Sequence, residues 1–575
     1  MEVKIMSATE NPIDVISLAA GTSYNKDNVS LARVKSCIKH EHTSILEHAT
    51  ISFRIDGISR ACYDKETEVL THEGWKYFKD VKMGEKILTL NPETGYAEFQ
   101  PVEDIIQYRY DGDMHYYHSQ SVNLVVTPNH NMWMKKYDVR VPDSFHLVPS
   151  EDIKVKRFYF DKRIKYNHIV SSDFILPQVS YYRKNKIGDT YLKVLPEKRF
   201  SRDNVMRFLA WYISEGSARY SEQDNTWRIS ISQLKQKNYP RIKSVLNSCG
   251  LSATPSYHKV NDQSTQIGFQ CGSRQWGDFL DKCGHRADLK QLPFDNVFDE
   301  FDAHTAKIFI DEYFLGDGSV DSNGCGKLYT SSPVLADQLY TLCYMAGYTA
   351  TKTVRDDRVG DYHTGPHGTP IKYNFPSYVI YVSLNGKRNY QPVMKTEQNF
   401  DTMDYHDNVY CVTVPNHIIF VRRSGKAVWC GNCSHQLVRH RLASFVQQSQ
   451  RYCKYTNLSE TDDWYVVPQA IAENKIRKEI FAKKMKSDAQ TYEFLLEDGV
   501  NPEDARYALP EAMKTSITMT MNAREFFSFL NLRLSSHAQA EIRELAGKML
   551  KIAAAHSEQW AQLMEVYNQN QHIIN

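Results

Sequence analysis

Two changes of texture most constrain what this 575-residue chain can fold into. From about Cys62 to about Asn432 it is rich in Tyr, Val, Ile and turn residues. Short alternating runs there, such as KILTLNPETGYAEF and NLVVTPNH, read as strands and hairpins. From Ser434 onward, apolar residues recur every three or four positions, as in AREFFSFLNLRL and AQAEIRELAGKMLKIAAAHSEQWAQLMEVYNQ, the pattern of amphipathic helices. The first 61 residues resemble this tail, with a helical LARVKSCIKHEHTSILEH and a strand-like ATISFRIDGIS. Removing Cys62 through Asn432 (371 residues) fuses SFRIDGISRA to CSHQLVRHRLASFVQQSQRY and leaves 204 residues, an ordinary size for one domain. The chain therefore reads as one domain interrupted by another.

Bulk properties narrow the function classes. Lys+Arg 70 against Asp+Glu 68 gives a net charge of +2, so any nucleic-acid surface must be local. The opening MEVKIMSATENPIDVISLAAG lacks the basic stretch and apolar core of a signal peptide, and no run of about 18 apolar residues suggests a membrane span. Eleven scattered cysteines fit reduced thiols better than a disulfide framework. The expectation is a cytoplasmic, multidomain protein with no membrane association.

In the fused text, Arg439-His440-Arg441 is followed by Ser449 and Arg451. On a helix, Gln436, Arg439 and His440 share a face. An Arg-rich helix is ordinarily a solvated face. Here Arg439, Arg441, Arg451, Arg506, Arg524 and Arg533 sit among apolar residues with few balancing acids, which favours phosphate binding through guanidinium forks. The RHR motif with Ser449, HTSILEH ending at His48, DARYALP around Arg506 and MNAREFFSFLNLRLSSHAQAEI from Met521 occur in an order that closely resembles the flavin-dependent thymidylate synthase family. The resemblance covers the whole joined text.

That resemblance implies an α/β (α+β) host domain that transfers a methylene from methylenetetrahydrofolate to dUMP, with FAD as cofactor and NADPH as reductant. Implied FAD contacts are Ser23, His48, Thr50, Arg439, His440, Arg441, Gln447, Asn522, Arg524, Ser528 and His537. Implied dUMP contacts are Gln436, Arg439, Gln447, Ser449, Arg451, Arg506 and Arg533. Arg533 would favour the ionised uracil, a fixed cation beside a developing anion. A homotetramer is implied as well. Val446 and Ser528 stand where the family commonly has Asn, and Gly21 where Arg is usual; none of these removes a phosphate anchor.

The removed segment begins with Cys62 and ends with Asn432, followed by Cys433. These residue types suit protein splicing. A first thiol can attack the preceding carbonyl, a second thiol can take over the acyl group, and a terminal Asn can cyclise and cut the chain. The segment resembles an intein throughout, which implies an all-β, HINT-type splicing domain. In TPNH, Thr127 and His130 are implied to polarise the scissile amide. In VYCVTVPNHIIFVRRSGKAVWCGN, His417 is implied as general acid/base, and Cys411 occupies a position that is often Asp. Gly431 stands where the family usually has His. The CxxC of Cys430 and Cys433 is then accidental. A redox pair would need a βαβ setting that is missing, and a zinc site with Cys411 and His417 stays open as a minor alternative.

A splicing domain of about 130–150 residues leaves much of the insert unexplained. Within it, FLAWYISEGS (Phe208–Ser217) and IDEYFLGDGS (Ile310–Ser319) each read as an apolar helix ending in acid-Gly-Ser, then a strand, then a helix closing on Gly. This pattern resembles the two-repeat LAGLIDADG endonuclease fold, an α+β domain acting on double-stranded DNA. Glu215 and Asp317 would lie together and bind Mg²⁺ between them, with Lys290 assisting. Candidate DNA-facing cations are Arg228, Lys235, Lys237, Arg241, Lys327, Lys352 and Arg355.

The expected division is therefore 1–61 and 433–575 for the synthase, and 62–165 and 396–432 for the splicing domain. The endonuclease would take 166–395, with repeats near 205–290 and 305–390. Two rival readings remain: a DNA-binding or DNA-cutting protein with structural flanks, and an unspliced precursor with an inactive insert.

Overall fold

The computed structural model describes residues 2–570 except 24, 57–61, 138–143, 185–188, 261–262, 365–369, 385–389, 433–441, 448–453, 463, 466, 468–474, 506–507, 510–512, 514–515 and 536–539. It is a multidomain, mixed helix-and-sheet structure.

Both ends of the chain build one antiparallel sheet, in the order Glu2–Ala8, Thr50–Asp56, Ser516–Asn522, Ser444–Gln447. Alternation explains its inner face. In SITMTMN, Ile517, Met519 and Met521 are buried while the residues between them are half-exposed. Opposite them stand the buried Ile55, Phe53 and Ile51. Helices Pro12–Thr22, Leu31–Lys39, Ala523–Leu534, Ala540–His556 and Glu558–Gln569 cover this face. Their starts are fixed by polar caps. Asn522 Oδ1 accepts from the Glu525 N–H at 2.9 Å, and Ser557 Oγ accepts from the Trp560 N–H at 3.2 Å. Residues hundreds of positions apart thus share a single core.

A second core is built almost wholly of strands, from residues Cys62 to Phe160 and Met394 to Cys430. Its longest pairing joins Asp104–His118 to the full length of Phe400–Thr413. A hairpin of Ile418–Arg423 and Lys426–Gly431 runs up to Asn432.

The intervening segment repeats itself. Helix Arg202–Glu215 is followed by the hairpin Gly216–Ser221/Thr226–Ser232, helix Tyr239–Ser248 and the pair Thr254–Val260/Gln263–Gly272. Helix Ala303–Tyr313 is followed by Gly318–Val320/Cys325–Thr330, helix Pro333–Met345 and the pair Thr349–Arg355/Ser377–Ser383. In each sheet the four strands lie in the same spatial order: first, second, fourth, third. The repeat in the sequence is a repeat in topology.

The second of these sheets continues through Thr351↔Lys426 into the hairpin that leads to Asn432. Arg422, 1% exposed, locks the junction. It donates to both Glu68 oxygens (2.8 and 2.7 Å) and to Asp337, and its guanidinium lies 4.3 Å from the Trp75 ring. A buried cation is tolerated only with such complete pairing. Lys352 also donates to Asp337, and Arg241 is paired with Glu312, so two of the candidate DNA-facing cations are engaged internally.

Candidate functional site

The two ends of the insert meet in one buried site. Cys62, Tyr63, Thr127, His130, Cys411 and Asn432 are all at most 1% exposed. Tyr63 is held between two strands, bridging Val126 and Tyr410, with reciprocal N–H to carbonyl bonds of 2.8 Å to Tyr410. That placement sets Cys62 against Thr127. The Cys62 N–H donates to Thr127 Oγ1 at 2.9 Å, and the Cys62 carbonyl accepts from the Thr127 N–H at 3.0 Å. From the same strand end, His130 Nε2 lies 3.0 Å from the Gly431 carbonyl. The Tyr63 hydroxyl donates to that same oxygen. Burial brings the His130 imidazolium pKa down to about 3, so the ring is neutral and a carbonyl partner requires the proton on Nε2.

On the far side, the Asn432 N–H donates to the His417 carbonyl at 2.9 Å. His417 sits at a φ of +58°, a left-handed conformation uncommon for residues other than Gly. The Asn432 side-chain amide is buried with no hydrogen-bond partner among the described residues. Such a group costs free energy, and an unoccupied amide nitrogen is what an attacking nucleophile needs. Ala61 and Cys433, the residues flanking the two ends of the insert, lie outside the described residues.

The cysteines divide by environment. Cys430 Sγ faces the Asn131 carbonyl at 3.7 Å and Met132 Sδ at 3.9 Å, and burial pushes its thiol up to about 12. It is a core thiol. Cys411 Sγ lies 3.7 Å from the Val412 carbonyl. Among the described residues no group of three or more His, Cys, Asp or Glu could hold a metal, and every cysteine is a free thiol. No helix among them is long and apolar enough to cross a membrane. The sequence alone does not mark Tyr63; its one signal there is its place directly after Cys62.

Glu215 closes the first repeated helix, whereas the second ends at Tyr313 and Asp317 follows in the turn before the strand Gly318–Val320, not in the helix itself as the sequence suggests. The helices approach so tightly that a Cβ at Gly316 would fall 2.3 Å from Ser214 Oγ and 3.3 Å from Glu215 Cγ. Asp317 is pushed up to about 7, first by burial and then by the Glu215 charge. Burial raises Glu215 too, against the pull of Lys235, a 3.1 Å bond from Gln233 and Lys290. Lys290 Nζ donates to the carbonyls of Tyr212 (3.1 Å), Ile213 (3.1 Å) and Gly216 (2.7 Å), placing a cation at the negative end of the first helix. Two carboxylates with the remaining positions left to water match how Mg²⁺ is usually held.

Asp317 gives this site a pH signature. In the folded chain its carboxyl keeps a proton up to about 7, against a reference value of 3.8. Over that window the native state binds more protons than the unfolded state, so stability falls as pH rises. Asp317→Asn, which cannot ionise, should stabilise the metal-free, full-length chain by a few kcal/mol at neutral pH and flatten the decline. Urea midpoints measured with chelator from acid to neutral pH check this; parallel curves for variant and parent contradict it.

In the sheet built from both ends of the chain, Thr50 pairs with Asn522, and the Ala523 N–H donates to the Ala49 carbonyl at 2.8 Å. Arg524 is ion-paired with Glu47, beside His48. The structure therefore brings His48 and Thr50 together with Asn522 and Arg524. Ser528 follows on the same helix, and Arg533 lies in its last turn. Ser23 ends the helix Pro12–Thr22, and Gln447 pairs with Ile517 at the sheet edge. Gln436, Arg439, His440, Arg441, Ser449, Arg451, Arg506 and His537 lie outside the described residues.

Comparison with known proteins follows the same division. The profile of the family described as Thymidylate synthase complementing protein matches residues 4–69 and 431–557, two pieces on either side of an unmatched insert. The Flavin-dependent thymidylate synthase of Thermococcus onnurineus (strain NA1) is 45% identical over 136 residues, covering 23% of this chain and 55% of the relative. That of Geobacter sulfurreducens is 46% identical over 121 residues, 21% of this chain and 50% of the relative. That of Saccharolobus solfataricus is 48% identical over 120 residues, 20% and 44% respectively. The chain spans about half the length of the curated relatives it matches.

Proposed function

We propose that residues 62–432 are an intein that excises itself and carries a double-strand DNA endonuclease. The joined flanks, 1–61 and 433–575, then act as a flavin-dependent thymidylate synthase. The observation that carries this reading is the contact between the insert's two ends, 368 residues apart, through the Tyr63 hydroxyl and the Gly431 carbonyl. Excision needs both cuts in one place, and an ordinary insertion does not.

In the first step the Cys62 thiol attacks the Ala61 carbonyl. A C–S bond forms, the C–N bond breaks, and the Cys62 nitrogen gains the proton lost from sulfur. Thr127, bonded to that nitrogen, holds it in line. The Cys433 thiol then takes the acyl group and returns a thiol to Cys62. Asn432 Nδ2 next attacks its own carbonyl carbon, breaking the bond to Cys433. The proton from Nδ2 passes to the departing amine, with His417 as general acid/base. An S-to-N shift at Cys433 leaves an ordinary peptide bond. The strand-built core that supplies Cys62–Phe160 and Met394–Cys430 supports a HINT-type splicing domain with limits near 62–165 and 396–432.

The duplicated helix–hairpin–helix–hairpin supports a LAGLIDADG-type endonuclease between them. Mg²⁺, when bound between Glu215 and Asp317, supplies an activated water and charge stabilisation at the scissile phosphates. Lys290 keeps the helix end fixed beside Glu215.

For the joined flanks, His48, Thr50, Asn522 and Arg524 would line the flavin side, with Ser23, Gln447 and Ser528 as the other described candidates. Arg533 offers a cation to the ionised uracil of dUMP. FAD, when bound, supplies the hydride that completes the methyl group, with NADPH as reductant. The test is the 204-residue product (1–61 joined to 433–575) purified after splicing. It should be yellow and oxidise NADPH in the presence of dUMP and methylenetetrahydrofolate; a colourless product without that activity overturns the synthase reading.

A further inference from the structure

Gly431 precedes Asn432, and it has neither a side chain nor room for one. A Cβ there would fall 2.3 Å from the Asn131 carbonyl oxygen and 2.9 Å from Asn131 Cβ. The peptide that presents Asn432 must therefore be held from outside. Two donors do so at one oxygen: His130 Nε2 at 3.0 Å and the Tyr63 hydroxyl. The Asn432 side-chain amide contributes no anchoring, having no hydrogen-bond partner among the described residues.

Resting on the splicing reading, we infer that Tyr63 is a positioning residue for cleavage of the Asn432–Cys433 bond: its hydroxyl grips the Gly431 carbonyl and so orients Asn432 for attack on its own carbonyl carbon. The grip is rigid because Tyr63 is fixed on several sides. Its backbone is bridged to Val126 and Tyr410, and its ring lies 5.1 Å from Phe78 and 4.3 Å from the His130 ring. Burial and the neighbouring thiols Cys430 and Cys411 raise its phenol well above the ordinary range, so it remains a neutral donor throughout the working pH range.

The arrangement has a consequence for the order of events. Tyr63 is the residue directly after the first nucleophile. Only when the insert's N-terminal end is seated between its strands does the hydroxyl reach Gly431. Cyclisation of Asn432 is thereby tied to a correctly docked Cys62, which disfavours premature release of the C-terminal flank.

Tyr63→Phe removes the hydroxyl and keeps the ring contacts. The experiment follows both ends of the full-length chain by denaturing gel and intact mass. Cleavage at Ala61–Cys62 by added dithiothreitol reports the thioester, and release of the 433–575 fragment or spliced product reports Asn432 cyclisation. In the variant, dithiothreitol cleavage should match the parent, cyclisation should slow roughly ten- to a hundredfold, and the branched intermediate should accumulate. Equal loss at both ends would make Tyr63 a merely structural residue and overturn the inference. An unchanged cyclisation rate in a parent that splices would also overturn it, leaving the splicing reading intact. A parent that never splices would overturn both.

Discussion

A chain carrying Cys62→Ala together with Asn432→Ala stays at full length and makes no thymidylate. On the splicing proposal, the first substitution removes the thiol that would start acyl transfer, and the second removes the amide that would cut the chain. The loss does not come from unfolding. The unspliced chain already pairs Thr50–Asp56 with Ser516–Asn522 and buries the host core beneath helices from both flanks. What the insert prevents is continuity. Residue 433 remains attached to the buried Asn432, and Arg439, His440 and Arg441 follow it within a few positions. If these residues bind phosphate as proposed, a site tethered at that point would not take the geometry open to it when Cys433 follows Ala61 directly. Misplacement by about 1 Å can cost on the order of a hundredfold, and displacement of a whole binding segment costs more. NADPH oxidation with dUMP, measured beside circular dichroism of the blocked chain, checks this. Full activity in the blocked chain contradicts it.

The second large effect concerns the paired acids. Glu215→Gln with Asp317→Asn should reduce Mg²⁺-dependent DNA cleavage by roughly a thousandfold or more, the scale of several kcal/mol of lost metal assistance. Splicing should proceed unchanged. Burial raises both carboxyls and the Glu215 charge raises Asp317 further, while Lys235 and Lys290 pull both down only in part; a divalent cation between the two would relieve the remaining penalty. The amide pair keeps the packing around Gly316 and cannot hold the metal as anions do. A suitable substrate is plasmid DNA encoding the joined flanks. A nuclease encoded within a gene must spare that gene, and the joined sequence is the one its own insertion interrupts. Cleavage retained in the double variant contradicts the assignment; splicing lost along with cleavage shows that the two sites are not independent.

The legible part of this molecule was whatever repeats or alternates. AREFFSFLNLRL shows its helix through three- and four-residue spacing, but reading everything from Ser434 onward as helical misses the strands Ser444–Gln447 and Ser516–Asn522, although SITMTMN carries a strand's period-two alternation. The internal repeat of acid-Gly-Ser helices became two sheets of identical strand order. The less legible part consists of contacts between residues far apart in sequence. Nothing in the one-dimensional pattern shows that Arg422 bridges Glu68 and Asp337, joining the duplicated helix–hairpin segment to the hairpin that ends at Asn432. Nor does it show that Tyr63 reaches Gly431, or that Gly431 must be glycine because the Asn131 backbone fills the adjacent space. Lys352 illustrates the converse. It reads as a surface cation on a strand, yet its charge is used by Asp337. A charge's role depends on which partner the fold delivers, and local sequence carries little of that information.

One rearrangement underlies the whole account: the chain must lose residues 62–432 and rejoin Ala61 to Cys433. Intact-mass spectrometry of the freshly expressed, unmodified chain measures it directly. The account predicts two products, a 371-residue piece and a 204-residue piece whose tryptic peptides cross the Ala61–Cys433 junction. A chain that persists whole at 575 residues and nevertheless converts dUMP to thymidylate would contradict it.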